Sequence, residues 1–145
     1  MPAAAESGVP LRRHAIAALA VAWNLLGVVL FVVRIAMTPK LAEQVGGAAA
    51  AAAEMPAWVD LAFGAAVVTG LSGAIALLLR RRWAVPMLLV SLGAAAVQAA
   101  AAPAVLAARG ALHASALALP MAVLLASLAL WLYARRVRAR GWLRR

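Results

Sequence analysis

The chain has 145 residues and a formal net charge of +10; 68% of its residues are hydrophobic and 12% are charged. Soluble domains contain about 45–50% apolar and about 25% charged residues, so this composition excludes an ordinary soluble protein and indicates a membrane protein. The chain has no cysteine, which excludes disulfides, thiol catalysis and thiolate metal sites.

Four uncharged stretches are long enough to cross a membrane, because a spanning helix needs about 20 apolar residues. Lipid offers no hydrogen bonds to the backbone, and runs that are continuously apolar favour helices over a β-barrel. We therefore predict an all-α polytopic membrane protein: a single four-helix transmembrane domain, 1–145, in an antiparallel up-down bundle. The predicted spans lie at about 15–33, 61–79, 83–105 and 114–134.

The first span is longer than the apolar core of a signal peptide, which has about 7–15 residues, so we expect it to stay in the protein. The outer loop that follows, 36–56, contains Thr38 and Pro39, which suit the N-cap and the first position of a short helix. Six alanines at 48–53 also favour helix. We predict a short surface helix or helix pair in this loop.

Small residues concentrate in the second and third spans, and close helix packing in lipid depends on such residues. A short arginine turn joins these two spans, so they must form an antiparallel hairpin. We predict a compact bundle that can also associate with copies of itself or with other membrane proteins. The small residues are Gly64, Ala66, Gly70, Ser72, Gly73, Ser91 and Gly93.

Two prolines lie within the last two apolar runs. Proline has no N–H to donate inside a helix, so Pro103 is expected to mark the end of the third span or a kink near its outer end. Pro120 is expected to kink the fourth span, with a neighbouring helix or water covering the freed carbonyl.

The basic residues set the predicted orientation. Eleven of them lie in the N-terminal tail, the turn between the second and third spans and the C-terminal tail, whereas three lie on the other side. Because basic residues are enriched in cytoplasmic segments, both termini are predicted to be cytoplasmic. Charges that flank apolar runs in this way favour anionic lipid headgroups as partners and argue against nucleic acid.

The basic C-terminal tail, 135–145, permits two interpretations. It is either an amphipathic anchor for anionic lipid, worth about 1 kcal/mol for each basic residue near the surface, or a stop signal that fixes topology. We favour the stop signal. The residues assigned to lipid headgroups or topology are Arg80, Arg81, Arg82, Arg135, Arg136, Arg138 and Arg140.

Polar residues inside a membrane are costly, so each is a candidate for function. Asn24 lies near the middle of the first span, Gln98 lies in the outer half of the third, and Asp60 and His113 lie near outer ends. One hypothesis joins all four in a small polar site that opens outward, with Asp60 and His113 as a titrating pair. The other, which we favour, pairs Asp60 with an outer arginine, places His113 among headgroups and uses Asn24 and Gln98 to bond helices together.

No pattern in the sequence indicates an enzyme. A lone histidine without a second ligand at useful spacing is not a metal site. Ser91, Ser115 and Ser127 have no base and orienting acid nearby in the sequence, and no glycine-rich phosphate loop opens a helix. We therefore predict no catalytic, cofactor-binding or metal-binding residues.

Several short segments recur in the same order in a known group of proteins. The chain resembles a family of small, uncharacterised four-helix bacterial inner-membrane proteins that often carry an automatic sugar-transporter label. The resemblance implies a four-helix membrane fold over nearly the whole chain, and it implies an acidic residue after the Thr-Pro pair, where this chain has Lys40. The matching segments are 23–27 (WNLLG), 36–39 (AMTP), 56–58 (PAW), 79–86 (LRRRWAVP) and 141–143 (GWL).

Two functions follow from these observations. The first is a non-enzymatic structural or accessory membrane protein that binds other helices or lipids. The alternative is a transporter of small solutes that acts as an oligomer, with sugar as the substrate that the resemblance implies. A transporter needs Asn24 and Gln98 to face a water-filled cavity, whereas an accessory protein needs a packed bundle.

Overall fold

The computed structural model describes residues 9–46, 55–108, 110 and 114–143. All regular structure in these residues is helical, which confirms the predicted all-α class. The helices are α1 (Val9–Ala36), α2 (Pro39–Val45), α3 (Ala57–Leu78), α4 (Ala84–Ala108) and α5 (Ala114–Ala139).

Four of these helices are long and apolar enough to cross a membrane. Their spanning segments are Arg13–Ala36, Ala57–Leu78, Ala84–Ala108 and Leu117–Ala139, with 22 to 25 residues each. At a rise of 1.5 Å per residue, even the shortest is roughly 33 Å long, which exceeds a hydrocarbon core of about 30 Å. The four predicted spans are therefore all present as helices, and they indicate a multi-pass membrane protein.

The helices extend beyond several of the predicted span boundaries, and two of these differences involve prolines. Helix α3 begins at Ala57, four residues before the predicted span, because Pro56 sets an extended backbone (φ −60°, ψ 143°) immediately before it. Helix α4 runs through Pro103 to Ala108, so Pro103 does not end the helix, and the alternative that it kinks the helix near its outer end stays a prediction. Proline costs one backbone hydrogen bond, and neighbouring groups in a packed bundle can cover the freed carbonyl.

The short helix predicted after the first span is confirmed. Thr38 Oγ1 accepts a hydrogen bond from the Leu41 N–H at 3.4 Å, and Pro39 occupies the first turn. The helix ends at Gly46, whose φ of 71° is the left-handed conformation that glycine adopts without strain. The alanine run at 48–53 lies outside the described residues.

The helices pack in series: α1 on α3, α3 on α4, and α4 on α5. Helices α3 and α4 hold most of the buried residues, whereas α1 and α5 expose large apolar side chains such as Leu19 (71% exposed) and Leu125 (64% exposed). Contiguous apolar surface of this kind is costly in water and is solvated by lipid acyl chains. The two outer helices therefore present lipid-compatible faces.

One end of the bundle contains its main apolar cluster. We call it the tail end, because it holds the start of α1, the turn between α3 and α4, and the C-terminal tail. Ala17, Leu77, Leu88, Val137 and Leu143 meet there and are buried. Four separate helices and the tail are thus fixed to each other at this end.

A glycine permits close contact between α3 and α4. A Cβ atom at Gly73 would lie 2.7 Å from Leu88 Cγ and 3.1 Å from the Leu88 backbone nitrogen. One of these nearby atoms is the Leu88 backbone nitrogen, which cannot move aside as the end of a flexible side chain can. The contact therefore requires glycine at position 73.

We predict that Gly73→Ala lowers the stability of the purified protein by about 1–3 kcal/mol, because an added methyl group in a filled contact forces backbone shifts. The matched control is Gly93→Ala on α4, where nothing lies within 4 Å of the new Cβ atom. Thermal unfolding in detergent, followed by circular dichroism, should show a lower midpoint for the first variant only. Equal midpoints would contradict the close contact.

Candidate functional site

Asn24 lies where three helices meet. Its Nδ2 donates a hydrogen bond to the Ala20 carbonyl of its own helix at 2.8 Å. Its side-chain amide rests on Gly70 of α3, at a point where a Cβ atom would overlap Asn24 Oδ1 and would lie 2.8 Å from Ser91 Oγ of α4. We call Asn24, Gly70 and Ser91 the Gly70 junction.

Ser91 is the buried polar member of the Gly70 junction. It is 5% exposed, and its hydroxyl donates to the Ala66 carbonyl of α3 at 2.7 Å. A hydroxyl in an apolar interior is costly unless it is bonded, and here the bond also ties α4 to α3. The Ser91 bond therefore joins two helices, whereas the Asn24 bond to Ala20 lies within α1.

Gln98 is half-buried on the same face of α4 as Ser91. The two residues are seven positions apart, which is two helical turns or roughly 10 Å along the axis. Within the part of the chain that the structure describes, the Gln98 amide makes no hydrogen bond. The structure thus separates Gln98 from the Gly70 junction along the helix.

Asp60 is paired with Arg34 across 26 residues of sequence. Arg34 Nε donates to Asp60 Oδ1 at 2.8 Å, and Arg34 Nη2 donates to Asp60 Oδ2 at 3.1 Å. The two parallel bonds match the planar guanidinium to the carboxylate, which is the strongest geometry for such a pair. The predicted pairing of Asp60 with an arginine is confirmed.

An open groove of about 430 Å³ lies beside this ion pair, between the end of α1, the start of α2 and the first turn of α3. Its walls include Phe31, Met37 and Leu61, so it is mainly apolar with one charged pair. His113, the predicted partner of Asp60 in the titrating-pair hypothesis, lies outside the described residues. Asp60 uses both oxygens on Arg34, which leaves it poorly placed to act as a free base.

The described residues contain no group of three histidine, aspartate or glutamate side chains that could hold a metal ion. This concerns residues 9–46, 55–108, 110 and 114–143 alone. Asp60 and Glu43 are the acidic residues in that part of the chain.

Two arginines and one histidine contact the Trp142 ring at the tail end. The guanidinium carbons of Arg80 and Arg13 lie 4.8 Å and 5.9 Å from the centre of a Trp142 ring, and His14 meets the indole edge-on at 5.7 Å. Cations are attracted to the negative face of an aromatic ring. We call Arg13, His14, Arg80 and Trp142 the Trp142 clasp; it joins α1, the α3–α4 turn and the tail.

Two similar helix ends position the Trp142 clasp. At the end of α3, Arg81 N donates to the Ala76 carbonyl at 2.7 Å and Arg80 N to the Leu77 carbonyl at 3.1 Å. This is a Schellman motif, which normally has glycine at its left-handed position. Arg80 occupies that position here with φ 59°.

At the end of α5 the same motif has glycine. Gly141 has φ 71°, and Trp142 N donates to the Val137 carbonyl at 3.2 Å. The chain thereby turns back, so that Trp142 reaches Arg80 and Leu143 is buried, with its carbonyl 3.5 Å from Arg82 Nε. The tail is thus packed against the bundle, which neither sequence interpretation of the tail had included.

The remaining predicted headgroup arginines are exposed at this end. Arg135 stacks over Trp131, with its guanidinium carbon 4.8 Å from the ring centre. Arg135 and Arg138 line a groove of about 330 Å³ together with Val85 and Ala139. The other exposed arginines among those predicted are Arg81, Arg82, Arg136 and Arg140.

Sequence reasoning missed the roles of His14, Trp142 and Ser91. Gly141 followed by two large apolar residues was a usable signal, because a glycine that ends a helix and an apolar residue after it are typical of a tail that folds back. Ser91 lies three residues after the buried Leu88 and four before the buried Ala95, and so shares their helix face, but the apolar sequence of α4 does not mark that face as the packed one.

No protein family model, curated protein or solved structure matches this chain. The family resemblance of the sequence therefore stays a prediction.

We predict that Arg34 and Asp60 are energetically coupled by about 1 kcal/mol, as expected for a partly exposed ion pair with two hydrogen bonds. Arg34→Gln and Asp60→Asn should each lower stability, and the double variant should be about as stable as either single variant. Thermal unfolding of all four proteins gives the coupling directly. Strictly additive losses would contradict the pair.

We predict that Arg80→Ala is less stable than Arg80→Gly by about 1 kcal/mol. Both variants lose the guanidinium over Trp142, but only glycine adopts the left-handed backbone without cost. The comparison, made by thermal unfolding, therefore isolates the backbone conformation from the cation–π contact. Identical midpoints would show that position 80 does not hold a positive φ in solution.

Proposed function

We propose that this chain is a non-enzymatic multi-pass protein of the bacterial inner membrane, with four antiparallel up-down helices and both termini in the cytoplasm. Its role in this proposal is structural or accessory: it binds lipids and other membrane helices. The Gly70 junction is the observation that carries the proposal.

The order of the contacts supports the antiparallel arrangement. In the contacts between α1 and α3, residue numbers rise along α1 as they fall along α3. The same holds for α3 and α4, where Gly73 contacts Leu88 and Ala66 contacts Ser91. The contacts between α1 and α3 are Asn24 with Gly70, Gly27 with Val67, Phe31 with Gly64, and Arg34 with Asp60.

The charges support the proposed orientation. The tail end carries Arg13, the turn at 80–82 and the arginines of α5, and the described residues at that end include no carboxylate. Basic residues are retained on the cytoplasmic side, where they also meet anionic headgroups. The opposite end has a neutralised ion pair, Arg34 with Asp60.

The Gly70 junction supports a packed interior over a water-filled pathway. Two polar groups at this junction already have acceptors. Asn24 Nδ2 donates to the Ala20 carbonyl, and Ser91 Oγ donates to the Ala66 carbonyl. A close approach at Gly70 leaves no room there even for a methyl group. Interhelical packing of small and polar residues is the usual source of helix association in lipid.

A small-solute transporter that acts as an oligomer is the alternative. Gln98 favours it, because this half-buried amide has no hydrogen-bond partner among the described residues and could contact water or solute. A solute pathway inside one bundle would have to pass the Gly70 junction to reach the tail end.

Cysteine labelling separates the two functions, since the chain has no cysteine of its own. Single cysteines at positions 24, 60, 98 and 113 are treated with a membrane-impermeant maleimide in intact membranes. We expect reaction at 60 and 113 and none at 24 and 98, because the interior is packed. Reaction at all four positions would overturn the accessory role in favour of transport.

Two further variants serve as controls in the same experiment. Lys40 is exposed on α2, so Lys40→Cys should react, which also reports the side of the membrane that α2 faces. Leu25→Cys neighbours Asn24 on α1 but is 49% exposed on an apolar face, where lipid should protect it. Reaction at position 25 would mean that α1 faces water and would contradict the proposed span.

A further inference from the structure

The groove that Val85, Arg135, Arg138 and Ala139 line, which we call the Arg135 groove, lies between the start of α4 and the end of α5. Its volume is about 330 Å³. Arg135 and Arg138 are three residues apart on one helix, so their side chains project to the same face. The groove therefore places two guanidinium groups beside each other at the tail end.

Among the residues that the structure describes, no acidic side chain neutralises these two arginines. The ion pair in that part of the chain is Arg34 with Asp60, and it lies at the opposite end of α1 and α3. Neither of the acidic residues in that part, Glu43 and Asp60, is at the tail end. Two cations on one helix face that have no acidic partner among the described residues favour an external anion.

The contact of Arg135 with Trp131 leaves its positive charge in place. The guanidinium carbon lies 4.8 Å from the centre of the Trp131 ring, and an aromatic ring attracts a cation without neutralising it. Arg135 is therefore held by the ring while its charge can still bind a phosphate, a ligand that suits the guanidinium group.

An apolar surface continues from the groove along both helices. Leu132 lies three residues before Arg135, and Leu89 lies four residues after Val85, so each follows the same helix face. Their side chains are 39% and 49% exposed. A ligand with a charged head and a hydrocarbon chain would bury both of its parts here.

We propose that the Arg135 groove binds one anionic phospholipid, with its phosphate held by Arg135 and Arg138 and an acyl chain against Leu89 and Leu132. This rests on the proposed function as a lipid-binding membrane protein and assigns that function to a particular site. The two-part surface selects a lipid over a free anion, since inorganic phosphate would leave the leucines uncovered.

Native mass spectrometry of the full chain in a non-ionic detergent tests the site. The protein is titrated with dioleoyl phosphatidylglycerol and, separately, with dioleoyl phosphatidylcholine. We expect the first phosphatidylglycerol to bind about tenfold more tightly than phosphatidylcholine. Arg135→Gln/Arg138→Gln should weaken it about thirtyfold, which corresponds to about 1 kcal/mol for each arginine lost.

The matched control removes the same amount of charge from the same end of the protein. Arg136 on α5 and Arg140, the residue after α5, are exposed and do not line the groove. Arg136→Gln/Arg140→Gln should therefore weaken phosphatidylglycerol binding less than about threefold, by loss of the diffuse field alone. Equal losses in the two double variants would overturn the site. An absence of preference between the two lipids would also overturn it.

Two measurements keep the test decisive. Arg138→Gln alone leaves the Arg135 contact with Trp131 intact and should weaken binding about fivefold, so a folding defect at Arg135 would not mimic the result. Millimolar inorganic phosphate is added as a competitor. If it displaces phosphatidylglycerol fully, the groove is a site for free phosphate and the lipid proposal fails.

The outcome is distinguishable from that of the cysteine experiment. Reaction of a cysteine at position 24 would overturn the accessory role, yet the lipid preference of the Arg135 groove would still be measurable. Conversely, loss of the lipid preference would leave the packed Gly70 junction unchanged.

Discussion

Close contact at the glycines of α3 is the constraint on which the bundle depends. Gly64 lies under the ring of Phe31, Gly70 under Asn24 and Ser91, and Gly73 against Leu88. Helix α3 can contact α1 on one side and α4 on the other because these positions have no side chain. In lipid, where apolar side chains gain little from leaving their solvent, such close packing is the principal source of helix association. The hydrogen bond from Ser91 to the Ala66 carbonyl, which joins α4 to α3, forms at this short distance.

The two ends of the bundle differ in their charge. One end has a carboxylate and a guanidinium in a bidentate pair, and this pair fixes the start of α3 to the end of α1. The tail end has arginines that are held by indole rings, Arg80 by Trp142 and Arg135 by Trp131. An aromatic ring fixes a guanidinium without neutralising its charge, so the tail end stays cationic while it is rigid. An anionic membrane surface is the complement of such an end.

The sequence predicted the local structure well and the site only in part. Thr38 and Pro39 predicted the start of α2, because an N-cap depends on residues within one turn. The sequence predicted that Asp60 pairs with an arginine, since a carboxylate near an apolar boundary needs a cation, but it did not identify that arginine as Arg34. The roles of Ser91 and Trp142 were not predicted, because each depends on a residue more than 20 positions away that becomes a neighbour only when the helices pack.

The sequence by itself determined the number of long apolar helices, the start of α2 at Thr38 and Pro39 and the separation of basic from neutral segments. Each is a property of a short window: length against the membrane thickness, capping within one helical turn, or charge near a span. Only the tertiary structure decided which faces of α3 and α4 are buried and which residues become partners. The physical reason is that these helices are apolar all round, so hydrophobic periodicity does not mark an inner face. Glycine contacts and a few polar bonds set the rotation and register instead.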